Sequence, residues 1–127
     1  MKLLLDTHIF IWWANEPERL PDKANVALQD GANDLILSAV SAWEIQIKIQ
    51  LGKLRLRQSL AELIKSQRET NDLQILPLEL GHVLTIDTLP FHHKDPFDRL
   101  LIAQCVSERL TLVTADDNFS AYSVRLL

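Results

Sequence analysis

The chain has 127 residues, of which 47% are hydrophobic and 24% charged, and its formal net charge is −4 at pH 7. These values predict a single globular domain over residues 1–127 and exclude a disordered chain. We expect neither a membrane span, which needs roughly 18 uncharged apolar residues, nor a signal peptide, because Asp6 interrupts the opening apolar run. The single cysteine, Cys105, excludes an intrachain disulfide and suits a reducing cytoplasm.

The three glycines are too few and too far apart to form a GxGxxG or Walker A loop, so we expect no nucleotide site of those kinds. The acidic balance is unfavourable for broad electrostatic binding of nucleic acid. It leaves open an acidic site that uses the charge of a divalent cation.

Short apolar runs alternate with stretches of helical apolar spacing. In chain order they predict a strand at 2–5, helices at 8–14 and 22–30, a strand at 35–38, helices at 41–51 and 59–69, a strand at 73–76, helices at 79–87 and 98–109, and strands at 110–114 and 122–126. Residues 88–97, with two prolines, form the longest predicted segment without regular structure. The alternation predicts βαβ units, and therefore a three-layer α/β/α fold with a parallel sheet of four to five strands.

Acidic residues stand where ligands bind in such sheets, at the carboxyl ends of the strands. Asp6 follows the first strand and Asp116 follows the strand at 110–114. Glu44 and Asp98 lie in the predicted first turns of helices, with Asp95 just ahead of the second one. The predicted topology brings these carboxylates, from distant parts of the chain, to one crevice.

The acids also have structural explanations. Asp6 and Asp95 stand at predicted helix N-caps. Ser41 and Glu44 have the spacing of a capping box, and Asp116 begins an Asp-Asp-Asn turn. Carboxylates packed together repel one another, however, and a divalent cation removes that cost. Oxygen ligands select Mg²⁺ or Mn²⁺.

Four segments, LLLDTHIFIWW, SAVSAWEI, DPFDRLLIAQ and LVTADDNF, resemble in order and spacing the acidic blocks of PIN-domain ribonucleases, in particular the VapC-type toxins of type II toxin–antitoxin systems. The resemblance covers essentially the whole chain and implies a PIN-like fold. It implies that Asp6, Glu44, Asp98 and Asp116 are the catalytic and metal-binding quartet. The pattern T-x-D-x-x-F favours Asp116 over Asp117 as the last acid.

The resemblance implies an endoribonuclease that depends on Mg²⁺ or Mn²⁺. One or two ions would be held by Asp6, Asp98 and Asp116, with Glu44 binding directly or through water. The metal would generate the nucleophile and neutralise charge on the phosphoryl oxygens. Hydrolysis of RNA would then leave a 5′-phosphate and a 3′-hydroxyl.

Other residues are assigned supporting roles. The resemblance makes Thr7 and Thr114 the hydroxyls that support the first and last acids. Asp95 lies outside the family quartet and is either a ligand or a cap. Arg99 either contacts phosphate or pairs with an acid.

Basic residues outside the acidic blocks are candidates for RNA binding. Lys48, Lys53, Arg55 and Arg57 form a basic run that either faces RNA or is a solvated surface. The segment His92-His93-Lys94 is a further candidate for contact with RNA.

The resemblance also implies partners. We expect a small antitoxin that lies as an extended or helical segment across the apolar residues near 9–13, and a homodimer of the chain itself. Two alternatives stay open. One is a catalytically silent PIN-fold binding domain, since a fold does not guarantee an activity. The other is a DNA-directed nuclease, because carboxylate–metal chemistry does not require the 2′-hydroxyl.

Overall fold

The structure is a computed structural model that describes residues 1–91, 95–122 and 124–127. Within these residues five strands form one parallel sheet in the order β3-β2-β1-β4-β5. The strands are β1 (Lys2–Leu5), β2 (Asp34–Ser38), β3 (Gln74–Leu76), β4 (Thr111–Val113) and β5 (Arg125–Leu126). The parallel sheet of four to five strands predicted from the sequence is therefore confirmed.

Helices connect the strands, and their ends lie within two residues of the predicted ones. They are α1 (Thr7–Asn15), α2 (Asp22–Gln29), α3 (Ala39–Gln50), α4 (Leu60–Asn71), α5 (Leu80–Thr85) and α6 (Pro96–Glu108). Short 3₁₀ turns cover Pro17–Arg19, Ile86–Thr88 and Asp117–Ala121, and the last of these overlaps the predicted Asp-Asp-Asn turn. The predicted RNA-contact segment His92-His93-Lys94 lies outside the described residues. No helix of the described residues is both long and apolar enough to cross a lipid bilayer.

Two hydrophobic clusters cover the two faces of the sheet, because successive side chains of a strand point to opposite faces. Leu3 and Leu5 of β1 belong to the cluster formed with α1, α2 and α3. Leu4 belongs to the other cluster, formed mainly with α6. The helices thus lie on both sides of the sheet, which confirms the three-layer α/β/α architecture. Cys105 is a buried residue of the second cluster, and burial raises the pKa of its thiol to about 12.

The start of α3 differs from the prediction. Ser38, not Ser41, is the N-cap, and its hydroxyl oxygen accepts a hydrogen bond of 3.0 Å from the backbone N–H of Val40. The predicted capping box between Ser41 and Glu44 is therefore wrong. Both residues lie inside the helix, and their side chains are available for contacts with other elements.

The central position of β1 determines where a site can form. β1 lies between β2 and β4, and Leu5 is in register with Val113 of β4. Asp6 follows directly and donates its backbone N–H to the Val113 carbonyl at 2.9 Å. The chain leaves β1 towards β2 on one side and leaves β4 towards β5 on the other, so a crevice opens between β1 and β4, as is usual at the switch point of open α/β sheets.

We predict that Leu4→Ala lowers the free energy of unfolding by about 2–5 kcal/mol, because the substitution leaves a cavity beside a strand that pairs on both sides. Leu4 has no exposed surface. Urea unfolding followed by circular dichroism measures the change. The control is Val26→Ala on α2, where the side chain is 70% exposed, and we expect a change within about 0.5 kcal/mol there. Equal effects of the two substitutions would contradict the assignment of the core.

Candidate active site

Asp6 is held at the carboxyl end of β1 by contacts from two elements. It is the N-cap of α1, as predicted, and its Oδ1 accepts the Thr7 backbone N–H at 2.7 Å. Its Oδ2 accepts the hydroxyl of Thr114, which follows β4, at 2.8 Å. Each carboxylate oxygen has two lone pairs, so these bonds leave acceptor capacity on both oxygens. Capping and a role in the crevice are therefore compatible.

Glu44 reaches the same crevice from α3. Its Oε1 accepts the Thr7 hydroxyl at 2.8 Å, and Thr7 Oγ1 also lies 3.0 Å from Ser41 Oγ. Its Oε2 lies 3.1 Å from the ammonium of Lys48, one turn further along the helix. Glu44 is buried, and these contacts fix both of its oxygens.

The first turn of α6 contributes two acids. Asp95 is the N-cap of the helix, as predicted, and its Oδ1 accepts the backbone N–H groups of Phe97 at 2.8 Å and Asp98 at 3.3 Å. Pro96 occupies the first helical position, where its missing N–H costs nothing. Asp98 follows in the first turn and is half-buried.

Asp116 approaches from the segment after β4. Its backbone N–H donates to Thr114 Oγ1 at 3.0 Å, and its Oδ1 accepts the Asn118 N–H at 2.9 Å. The Thr114 hydroxyl therefore links Asp6 with the backbone of Asp116. Asp116 is half-buried whereas Asp117 is exposed, and both line a cleft of about 450 Å³ together with Asp6.

The charges of these acids act on one another. Burial raises the pKa of Asp6 above its usual value, and the hydrogen bond from Thr114 opposes that increase. Burial is also the main reason why the pKa of Asp98 rises to about 8. Four carboxylates add to the increase at Asp98, in decreasing order Asp95, Asp6, Glu44 and Asp116. All four acids of the predicted quartet therefore lie in one electrostatic environment.

The donor set fits a hard divalent cation. It offers carboxylate oxygens that repel one another, and a cation of charge +2 removes this repulsion. Within residues 1–91, 95–122 and 124–127, no three acidic, histidine or cysteine side chains already lie as close together as the ligands of a metal site. Mg²⁺ retains several waters and does not need a closed cage of protein ligands. The residues thus fit an open site with partial protein coordination.

The supporting residues differ from the prediction in their partners. The Thr7 hydroxyl bonds to Glu44 rather than to the first acid. The Thr114 hydroxyl donates to the first acid, Asp6, in addition to accepting from the backbone of the last acid, Asp116. Arg99 is 8% exposed and donates to the carbonyls of Ile86 and Pro90 and to the Tyr122 hydroxyl. Its guanidinium therefore holds the segment before α6 in place, and none of these three partners is an acid. A contact of Arg99 with phosphate stays a prediction.

Two residues of the crevice were missed as site residues. Ser41 was interpreted as a cap, but it is buried next to Thr7. Lys48 was assigned only to the basic run, but it forms an ion pair with Glu44. The spacing of four residues between Glu44 and Lys48 on a helix was the signal available in the sequence.

Replacing Asp98 tests the repulsion in the crevice. The pKa of Asp98 rises from 3.8 to about 8 in the folded protein, so the folded state binds an additional proton between these pH values. The free energy of unfolding therefore falls as pH rises through this window. We expect Asp98→Asn to stabilise the metal-free protein at pH 8 by about 1–3 kcal/mol, allowing for solvent screening at a half-buried group, and to give no gain at pH 4.

Urea unfolding in EDTA at the two pH values measures this difference. The control is Asp87→Asn, which removes an exposed acid from the 3₁₀ turn Ile86–Thr88. We expect that control to behave like the wild type at both pH values. An Asp98→Asn protein that is no more stable than the wild type at pH 8 would contradict the crowding of negative charge.

The sequence matches the PIN domain family over residues 3–124. It is 30% identical over 121 residues to Ribonuclease VapC22 of Mycobacterium tuberculosis, which covers 90% of this chain and 86% of that protein. The fold is similar to VapBC2 from Rickettsia felis bound to a DNA fragment from their promoter, with a TM-score of 0.76 and 19% identity over 100% of this chain and 98% of that one.

A second similar structure is VapBC-5 from Mycobacterium tuberculosis, described as a member of the VapBC family of toxin–antitoxin systems. Its TM-score is 0.59 at 19% identity, over 99% of this chain and 97% of that one. At such identities the two structures bear on the fold alone. The family match extends over nearly the whole sequence, from the first strand to the segment after the last acid. The chain belongs to the PIN-domain family.

Proposed function

We propose that this protein is a metal-dependent endoribonuclease and the toxin of a type II toxin–antitoxin pair. The observation that carries the proposal is the convergence of acids from four separate elements. Thr114 bonds to Asp6 and to the backbone of Asp116, Thr7 bonds to Glu44, and Asp6, Glu44 and Asp116 all raise the pKa of Asp98. Membership of the PIN-domain family and the identity to a protein named as a ribonuclease support the same activity.

Asp6, Asp98 and Asp116 would hold one or two Mg²⁺ or Mn²⁺ ions, with Glu44 binding directly or through water. When bound, the metal supplies a water of lowered pKa and neutralises charge on the phosphoryl oxygens. The protein's own groups set the positions of the ligands. The Thr114 hydroxyl fixes Asp6, and the Thr7 hydroxyl fixes Glu44.

The basic run supports binding of the RNA backbone. Lys53, Arg55 and Arg57 are exposed, and they alternate with two leucines that pack against the core. Such cations bind phosphates without reading sequence. Lys48 forms an ion pair with Glu44, so its charge is partly compensated within the protein.

The partners of the proposed toxin are a small antitoxin and a second copy of the chain. The half-buried Trp12 and Trp13 of α1 lie against one hydrophobic cluster together with Leu54, Leu56 and Leu60, which gives an antitoxin segment an apolar surface to cover. The description of VapBC-5 as a toxin–antitoxin system supports such a partner. We place the pair in the cytoplasm, where RNA is found and where the thiol of Cys105 stays reduced.

The central test is RNA cleavage by single variants. We expect Asp6→Asn, Asp98→Asn and Asp116→Asn each to lower the rate of cleavage at least about 100-fold, because each removes a carboxylate that would hold the metal. Cleavage of total RNA in Mn²⁺, with mapping of the new ends, gives the rate and the substrate. EDTA should abolish the activity, and Asp87→Asn is the control that should retain it.

Three results would contradict the proposal. Undiminished cleavage by Asp6→Asn would remove the assigned acids from the mechanism. Cleavage of DNA but not of RNA would favour a DNA-directed nuclease. The absence of both cleavage and calorimetric Mn²⁺ binding at millimolar concentration would favour a silent binding domain.

Thr114→Val tests the hydroxyl that connects Asp6 and Asp116. Valine keeps the shape of threonine but cannot donate to Asp6 or accept from the Asp116 backbone. We expect metal affinity and cleavage rate to fall about 10- to 100-fold, as for other residues that orient ligands. Calorimetry with Mn²⁺ and cleavage assays measure the two effects. Thr70→Val, at the exposed end of α4, is the matched control, and equal Mn²⁺ affinity of both variants would contradict this role.

A further inference from the structure

An aromatic wall lies beside the acidic crevice and has no role in the metal binding and hydrolysis proposed above. The cleft of about 450 Å³ that is lined by Asp6, Asp116 and Asp117 is also lined by His8 and Trp12 of α1. Its volume falls within the range of roughly 300–1,000 Å³ that is usual for small-ligand sites. The cleft and the crevice share two carboxylates, so a group bound in the cleft lies next to the reaction site.

The two rings are held in defined positions. His8 and Trp12 are four residues apart on α1, and their ring centroids are 6.1 Å apart at an angle of 49°. The guanidinium carbon of Arg19 lies 5.0 Å from the centroid of Trp12, and Arg19 is itself paired with Glu16 at 3.3 Å. Arg19 does not line the cleft. Its guanidinium therefore contacts a part of the Trp12 indole that faces away from the cleft.

The neighbouring tryptophan has a different environment. Trp13 packs against Phe10, with ring centroids 6.4 Å apart, and lines another cleft together with Leu28 and Asp34 at the start of β2. Successive residues of a helix point in directions about 100° apart, so only one of the two tryptophans faces the acids. This difference provides a matched control on the same helix.

The lining of the cleft selects the chemistry of its occupant. Three carboxylates border it, so a phosphate or another anion is repelled wherever these carboxylates are not neutralised by a cation. A nucleobase carries no charge and has a flat π-face, and stacking of bases on aromatic side chains is largely independent of sequence. In an RNA strand a base is separated from the adjacent phosphate by a single ribose. The base next to a phosphate in the crevice can therefore reach the cleft.

We propose that this cleft is a base-stacking subsite, in which Trp12 stacks on an unpaired nucleobase of the RNA next to the bond that is cleaved. The inference rests on the proposed ribonuclease function and refines its substrate class. It restricts substrates to single-stranded RNA or to nucleotides extruded from a helix, because a paired and stacked base does not expose its face.

The test uses RNA binding in the Asp98→Asn background, in which we expect RNA to remain intact. The probe is a fluorescein-labelled single-stranded 12-mer that spans a site cleaved by the wild-type protein, with binding measured by fluorescence anisotropy. We expect Trp12→Ala to weaken binding about 5- to 150-fold. Trp12→Phe should have a smaller effect, and Trp13→Phe should bind like the parent protein. Circular dichroism and thermal unfolding verify that each variant is folded.

A second measurement distinguishes stacking from a general structural effect. Single abasic residues are introduced along the 12-mer, and one position beside the cleaved bond should weaken binding when Trp12 is present. The same abasic residue should cost little or nothing further in Trp12→Ala, since the two changes remove the same contact. Independent, additive losses at every position would overturn the proposal.

The outcomes separate this inference from the proposed function. If the wild type cleaves RNA and Trp12→Ala binds the 12-mer with unchanged affinity, the subsite is overturned and the ribonuclease function remains. If no RNA is cleaved or bound by the wild type, the proposed function fails and the inference fails with it. If Trp12→Ala keeps its RNA affinity but no longer binds the antitoxin, the cleft belongs to a protein interface and the inference is overturned.

Discussion

Negative charge concentrated at the carboxyl ends of β1 and β4 is the constraint on which the site depends. Burial and neighbouring carboxylates raise the pKa of Asp98 to about 8, which means that the fold holds this acid in an unfavourable environment. The parallel sheet and its two apolar clusters supply the stability that keeps the acids there. Local destabilisation of this kind is typical of functional sites, because a bound ligand can offset it.

Hydroxyl groups hold the acidic side chains in place, and the acids and hydroxyls belong to several different elements. Thr114, on the segment after β4, contacts both Asp6 and the backbone of Asp116, although 108 residues separate it from Asp6. Thr7 begins α1 and fixes Glu44 of α3. Asp6 and Glu44 are therefore each positioned by an element other than their own. The geometry of the crevice consequently depends on the packing of α1, α3 and the sheet, and not on any single loop.

The sequence predicted the elements well because their signals are local. Apolar periodicity defined the strands and helices, and Asp6 and Asp95 were correctly predicted as caps. Side-chain partners were predicted less well, because they depend on which elements meet. Ser38 and Ser41 both precede the same helical pattern, and only the extent of β2 decides that Ser38 is the cap.

Arg99 shows the same difference between sequence neighbours and spatial neighbours. Its position after Asp98 suggested a shared environment, but adjacent residues on a helix do not face each other. The Arg99 side chain instead points to the Ile86 and Pro90 carbonyls and to Tyr122. The roles of the quartet in metal binding and catalysis stay predictions, since their geometry and charge support these roles without testing them.

Helix α1 connects the chemistry of the crevice with the binding of a substrate. Its N-terminus is capped by Asp6, and Ile9 and Phe10 bury one side of it in the core. The helical period then leaves His8 and Trp12 on the side that borders the acids. The adjacent tryptophans in the sequence thus separate into one that packs against Phe10 and one that faces the cleft. Because α1 is capped by Asp6 and carries Trp12, a shift of α1 would move the acidic crevice and the proposed stacking surface together.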